Sequence, residues 1–228
     1  GEEEWREAFR IPHLSLSIMQ KERPSERLEA SVAKAMGGRV HGRKVLSTVY
    51  NMAFEMMQDR GMRIEGECAS EDQLMRRVDA GEPVLRAVGG KGGEETLVVM
   101  DSDDRTGVKF VRSLRESNPD SALCVVSVEG ATPFTKKEMA GCEHIEFWQV
   151  NEMLFNPTRH ALVPRHHAVP EKEVEALQEE RCVRPDQWPS ILVTDIIVRW
   201  YRFRKGTLVR IRRTGVGHEA GDYFRKVE

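Results

Sequence analysis

The sequence predicts two domains, an α/β unit followed by a small α+β unit, with the boundary near residues 150–156. Three observations carry this. Short β-branched apolar runs alternate with helical patterns up to about residue 150, the signature of an α/β layer. After Phe155 the texture changes, with chain breakers at Asn156-Pro157 and Val163-Pro164 and again at Pro185 and Pro189. The charge balance changes as well. The whole chain carries a formal charge of −2, but residues 155–228 are net basic and the rest net acidic.

The elements follow in order. Residues 1–24 are polar and without sustained periodicity, and read as an extension. Ser25 to Met36 reads as a short helix stopped by Gly37-Gly38. Arg43 to Arg60 is the clearest helix. Val45, Val49, Met52, Met56 and Met57 form one apolar stripe, and Gly61 follows as a cap. The stripe is read as core, not as a ligand site. Ser70-x-x-Gln73 is a capping box that opens a helix to about Ala80. Val84–Val88, Thr96–Met100, Ala122–Val128 and His144–Trp148 read as strands. Between them, Val108, Val111 and Leu114 fit a helix ending before Asn118-Pro119, and Thr132 with Pro133 starts another. In the second domain Pro170 opens a charged helix to about Arg181. Val198–Tyr201 closes a further helix, and Thr207–Arg213 and Tyr223–Val227 read as strands.

Composition excludes several classes. With 39% hydrophobic and 32% charged residues the chain is an ordinary globular protein. No apolar run approaches the roughly 20 residues that span a bilayer. The acidic start GEEEWREAFR has no apolar signal-like core, which points to the cytosol or nucleus. Cys68, Cys124, Cys142 and Cys182 form no C-x-x-C pair and are expected to be reduced and buried.

Several patterns could carry chemistry. Gly89-Gly90-Lys91-Gly92-Gly93 lacks G-K-[ST] and G-x-G-x-x-G spacing, so it reads as a turn and not a phosphate loop. Asp101, Asp103 and Asp104 follow a strand, where carboxylates can hold Mg²⁺. A nuclease would need an E-x-K on a neighbouring strand, which Ala122–Val128 lacks, so these acids read as a solvated loop. His160, His166 and His167 have no fourth ligand in register and read as structural. No catalytic residues, metal ligands or cofactors are therefore assigned. From Ile196 to Arg213 the chain holds Arg199, Arg202, Arg204, Lys205, Arg210, Arg212 and Arg213 with no acid. Such a stretch suits nucleic acid, an acidic protein surface or plain solvation.

Several blocks together resemble one family. His160-Ala-Leu-Val-Pro164-Arg-His166 resembles the H-x-L-V-P-x-H entry to the assembly domain of the fifth subunit of eukaryotic DNA-directed RNA polymerases and its archaeal counterpart. Gln187-Trp188-Pro189-Ser190-Ile191 is similar to its Q-L-P-x-I. Asp195-Ile-Ile-Val-Arg199-Trp200-Tyr201 is similar to its D-P-V-A-R-Y run. Lys205-Gly206-Thr-Leu-Val-Arg210-Ile211-Arg-Arg213 resembles its R-G-x-V-V-K-I-x-R strand, and Ala220-Gly221-Asp222-Tyr223-Phe224-Arg225 its ending. The order is the family's, over about 70 residues. Ala122–Ser127, Gly130-Ala-Thr132-Pro133 and Lys136 resemble the family's jaw domain, as does the helix ending Asp59-Arg60-Gly61.

The resemblance implies residues 43–155 as an α/β jaw domain and 156–228 as an α+β assembly domain, with 1–42 as an N-terminal extension. It implies a non-catalytic subunit of a multisubunit nuclear polymerase, with the jaw at downstream duplex DNA and the assembly domain on the largest subunit. Thr132, Pro133, Lys136 and Lys137 would then lie near DNA. His160, Pro164, His166 and Trp188 would contact other subunits, with Arg199, Trp200, Arg204, Lys205 and Arg210. Arg199 has a second reading, tying its own helix to its own sheet.

Departures from the pattern suggest a paralogue dedicated to one polymerase. Asp195 is followed by Ile196 instead of proline, Trp188 replaces leucine, Trp200 replaces tyrosine, and Arg202 replaces a glycine. The tip after Arg213 carries two extra residues. A polymerase I-specific copy, as in kinetoplastids, would be nucleolar. A metal-dependent nuclease using Asp101 and a free-standing nucleic-acid-binding module using Arg199–Arg213 are the alternatives.

Overall fold

The computed structural model describes residues 22–38, 41–89, 93–142, 144–213 and 221–228. Most of the N-terminal extension, the centre of the glycine-rich turn and the tip after Arg213 lie outside these residues. The protein is mixed α/β and is built on two sheets.

The first sheet has five strands in sequence order: β1 (Met62–Glu65), β2 (Leu85–Gly89), β3 (Glu95–Met100), β4 (Ala122–Ser127) and β5 (Ile145–Gln149). β1, β2 and β3 pair antiparallel, whereas β3, β4 and β5 are parallel. The parallel half explains the unbroken apolar runs. Val98, Met100, Cys124, Val126 and Trp148 enter one core, while Leu97, Val99, Leu123 and Val125 enter another. With both faces covered, the alternation expected of a half-exposed strand disappears. β1 has no continuous apolar run, and was not anticipated from the sequence.

Helices cover each face. α1 (Pro24–Ala35), α2 (Gly42–Asp59) and α3 (Glu71–Ala80) lie over the first face. The stripe on α2 is core, as expected: Val49, Met56 and Met57 are wholly buried. α1 belongs to the same core, since Leu28 and Val32 are buried in it. Gly42 makes that packing possible, because a Cβ there would run into the Glu29 backbone. At α3 the capping box is displaced by one residue. The Ser70 hydroxyl accepts from Gln73 N, but the Gln73 side chain reaches Ala69 N at 2.8 Å. α4 (Val108–Ser117) covers the opposite face through Leu114, and α5 (Pro133–Glu138) follows β4.

The second sheet has the order β6 (Arg165–Ala168), β8 (Leu208–Arg213), β9 (Gly221–Val227), β7 (Ser190–Ile191). α6 (Glu171–Arg181) packs Leu177 against Leu208 and Phe224 on one face. α7 (Ile196–Tyr201) packs Val198 against Val209, Ile211 and Val227 on the other. The Asp195 carboxylate caps α7, accepting from Ile197 N at 2.8 Å. At the far end Arg202 adopts φ +53°. That is the left-handed position where glycine is the low-cost residue, and the family pattern has glycine at this site.

Of the four cysteines only Cys124 is buried. Cys182 is exposed, and Cys68 and Cys142 are half-buried, so the expectation of four buried thiols is corrected. All four are free.

Candidate functional site: the junction of the two sheets

Three residues of the basic stretch, Arg199, Trp200 and Arg202, reach the seam between the two sheets. α7 has two working faces. Val198 faces its own sheet, while Ile196 and Trp200, four residues apart, face the core of the first sheet. Trp200 has no solvent exposure and meets Trp148 of β5 edge-on, with centroids 6.3 Å apart and planes at 89°. Its indole Nε1 donates to Asp59 Oδ2 at 2.9 Å. Asp59 also accepts from Asn156 Nδ2 at 3.1 Å, and that amide donates in turn to Glu55 at 3.1 Å.

Two arginines close the seam from opposite sides. Arg60, directly after α2, has a side chain only 4% exposed. It donates to both oxygens of Glu146 on β5, at 2.6 and 2.9 Å. It also donates to two carbonyls at the end of α7, Trp200 O at 2.8 Å and Arg199 O at 3.0 Å. A helix C-terminus leaves such carbonyls unpaired and carries partial negative charge, so a guanidinium suits it. Burial works against the Glu146 carboxylate. Arg60 overcomes it by charge and hydrogen bonds, with help from Arg202 and Trp148, and holds the carboxyl below its ordinary pKa.

Arg199 points the other way. It pairs with Glu152 through two nitrogens, donates to Phe147 O at 2.7 Å and lies over the Trp148 ring at 4.1 Å. Arg199 therefore ties α7 to the first sheet and not to its own sheet. The Glu152 carboxyl is also lowered, because the Arg199 hydrogen bond, the Gln149 N–H and the Arg199 charge outweigh burial.

The basic stretch finds its acids elsewhere in the fold. Arg202 meets Glu94 at 3.3 Å, Arg210 lies near Glu173 and Asp222, and Arg212 pairs with Asp222 at 3.1 Å. Arg204 and Lys205 stay exposed. Much of the excess charge read from the sequence is thus met internally, and part of it joins a basic unit to an acidic one.

The remaining candidates divide. Trp188 is half-buried against Phe224 at 5.7 Å. His166 is buried, with Nδ1 2.7 Å from Pro164 O, and burial pushes its pKa down. His160 is exposed and its Nδ1 accepts from Leu162 N at 3.2 Å. Pro164 is half-buried at the entry to β6. His166 and His167 alternate on β6 and do not converge with His160, and no group of three metal-capable side chains forms among the described residues.

Asp101 departs from expectation. It is 3% exposed, not solvated, and its Oδ1 accepts from Asp103 N at 3.1 Å. Burial raises its pKa. Asp103 and Asp104 are exposed, and Asp103 pairs with Arg27 at 3.2 Å.

At the end of β4, the Thr132 hydroxyl caps α5 by accepting from Thr135 N at 3.2 Å. Pro133, Lys136 and Lys137 are exposed beside it, and Phe134 is 67% exposed. A cleft of about 310 Å³ runs from Gly130 and Lys136 past Gln149 and Glu152 to Thr194 and Arg199. Reasoning from sequence missed Arg60, Glu146, Glu152 and Asp59. Asp59 and Arg60 entered only as part of the resemblance to the jaw helix, and Glu146 and Glu152 carried no signal beyond a charge in or just after a strand.

Comparison with known proteins bears on the second sheet first. The model of the RNA polymerase Rpb5 C-terminal domain matches residues 155–227, which span that sheet with both its helices. Residues 155–227 are thus similar to the C-terminal domain of RNA polymerase fifth subunits. Among curated fifth subunits, it is 28% identical over 148 residues to the RPABC1 subunit of polymerases I, II and III from Caenorhabditis briggsae, covering 62% of this chain and 69% of that protein. The subunit 5-like protein 1 of Arabidopsis thaliana is 24% identical over 183 residues, 73% of this chain and 87% of that one. The Dictyostelium discoideum RPABC1 subunit is 29% identical over 121 residues, 51% and 60% respectively. These matches favour the fifth-subunit reading over a nuclease or a free-standing binding module.

Proposed function

We propose that the chain is a non-catalytic subunit of a multisubunit nuclear RNA polymerase. The observation that carries this is the family match across the whole second sheet, residues 155–227. In this reading residues 156–228 are the assembly domain and dock on the largest subunit. Residues 43–155 are the jaw domain, and residues 1–42 the extension before it. With Trp200 wholly buried, the docking surface falls to exposed groups of the second unit. Arg204, Lys205 and His160 are exposed, as are the apolar Leu162, Leu192 and Val193.

Downstream duplex DNA is the proposed partner of the α5 tip. Lys136 and Lys137 supply charge there, beside Thr132 and Pro133. Phosphate contacts of this kind position a duplex and read no sequence. The acidic balance of the remainder argues for a local contact instead of a broad grip. Divergence at Trp188, Ile196, Trp200 and Arg202 supports dedication to one enzyme, polymerase I in the nucleolus.

The test is affinity purification of the tagged full chain followed by mass spectrometry. Large polymerase subunits should co-purify, and those of polymerase I above the others. Recovery without any polymerase subunit would overturn the reading, and equal recovery of all polymerases would remove the dedication to one. Within the assembled enzyme, Lys136→Ala with Lys137→Ala should weaken crosslinking to downstream DNA equally on all templates. Unchanged crosslinking would remove the tip from the DNA path.

A further inference from the structure

We infer that the two sheet units form one rigid arm, with Arg60 as the latch that sets their relative orientation. The inference concerns the free chain, and its bearing on jaw placement rests on the polymerase-subunit reading. Four observations support it. Arg60 comes from the first unit, yet two of its four oxygen acceptors are carbonyls at the end of α7 in the second. The other two acceptors, both oxygens of Glu146, fix the guanidinium plane from the first unit. A planar fork held on both sides permits one orientation of α7, whereas a lysine would act as a point charge. Trp200 adds a buried contact beside it, because its ring lies in the first unit's core and its N–H on Asp59.

The charge pattern agrees. Arg199 reaches Glu152 and Phe147 O, Arg202 reaches Glu94, and Arg159 reaches Glu55 at 3.2 Å. In each pair the cation belongs to the basic second unit and the anion to the acidic first. Relative motion of the units would strip the buried Arg60–Glu146 pair of its α7 acceptors, and desolvated charge left without partners is costly. Independently mobile domains usually meet through thin, wet and polar contacts. This seam has a fully buried aromatic pair at its centre. In the polymerase, whatever holds residues 155–227 would then fix the position of the Lys136–Lys137 tip without touching it.

The test uses the full chain in solution. Cys68, Cys142 and Cys182 are changed to Ser, and spin labels are placed at the exposed sites of Lys109→Cys on α4 and Lys172→Cys on α6. Pulsed dipolar spectroscopy should give a single narrow distance distribution. Arg60→Ala should broaden and shift it while circular dichroism stays native. If Arg60→Ala does not fold, Arg60→Lys carries the same comparison, since it keeps the charge opposite Glu146 but cannot span four acceptors. A broad distribution in the parent would refute the rigid arm. A narrow, unshifted distribution in the folded Arg60 variant would refute Arg60 as the latch. Neither outcome depends on polymerase binding, so failure here is distinct from failure to co-purify.

Discussion

Truncating Trp200 is the sharpest test of the seam as a load shared by both units. The ring is wholly buried, packs edge-on against Trp148 and donates to Asp59. Deleting a buried Trp side chain to Ala costs roughly 3–5 kcal/mol through lost transfer energy and the cavity left behind. The edge-to-face pair adds about 1 kcal/mol to what is lost. Asp59 keeps Asn156 as a donor, so its carboxylate is not stranded. Trp200→Ala should therefore cost about 4–6 kcal/mol. At roughly 2–4 °C per kcal/mol for a chain of this size, Tm should fall by about 10 °C or more. Trp200→Phe keeps most of the volume and loses mainly the hydrogen bond to a charged acceptor, about 2 kcal/mol. Equilibrium urea unfolding of the full chain, followed by circular dichroism, measures both. A loss below about 1 kcal/mol for Trp200→Ala would contradict the packing argument. An equal loss for Phe and Ala would contradict the partition between volume and hydrogen bond.

Four further outcomes follow from the same geometry. Arg202→Gly should be more stable than Arg202→Ala by about 1 kcal/mol, because both lose the Glu94 pair and only Ala keeps a Cβ in the left-handed conformation; equal urea midpoints would refute this. Glu146 and Glu152 have lowered pKa values, so their stabilisation is complete above the unfolded carboxylate pKa of about 4.3 and is lost as pH falls through the folded values. Acid titration of stability should accordingly be shallower in Glu146→Gln. Asp101 has the opposite sign: its raised pKa means stability is lost as pH rises above its unfolded value, so Asp101→Asn should match or exceed the parent at pH 7 in thermal melts, and a large destabilisation would refute this. Residues 156–228 expressed alone would uncover Trp200 and Ile196, so hydrogen exchange in α7 should be much faster than in the full chain, and equal protection would show that the seam contributes nothing to α7.

Local signals specified much of this protein. The α2 stripe, the Thr132 cap with Pro133, the apolar runs within β3 and β4 and the breakers after Phe155 all act within a few residues of chain, so pattern alone reveals them. The ordered blocks from His160 to Arg225 likewise pointed to the family. β1, β6 and the two-residue β7 were not legible, since all three are held by neighbours distant in sequence instead of by their own periodicity. The same reason governs the site. Sequence could show that the second unit is basic and the first acidic, and that Arg199 and Trp200 lie on a short helix. It could not show that these residues turn toward Glu152 and Trp148, some 50 residues away, or that Arg60 caps the helix from 140 residues away. Charge and amphipathicity are properties of a segment, whereas partner choice depends on which segments the fold brings together. Only the tertiary structure could decide whether those cations face an outside partner or the protein's own acids.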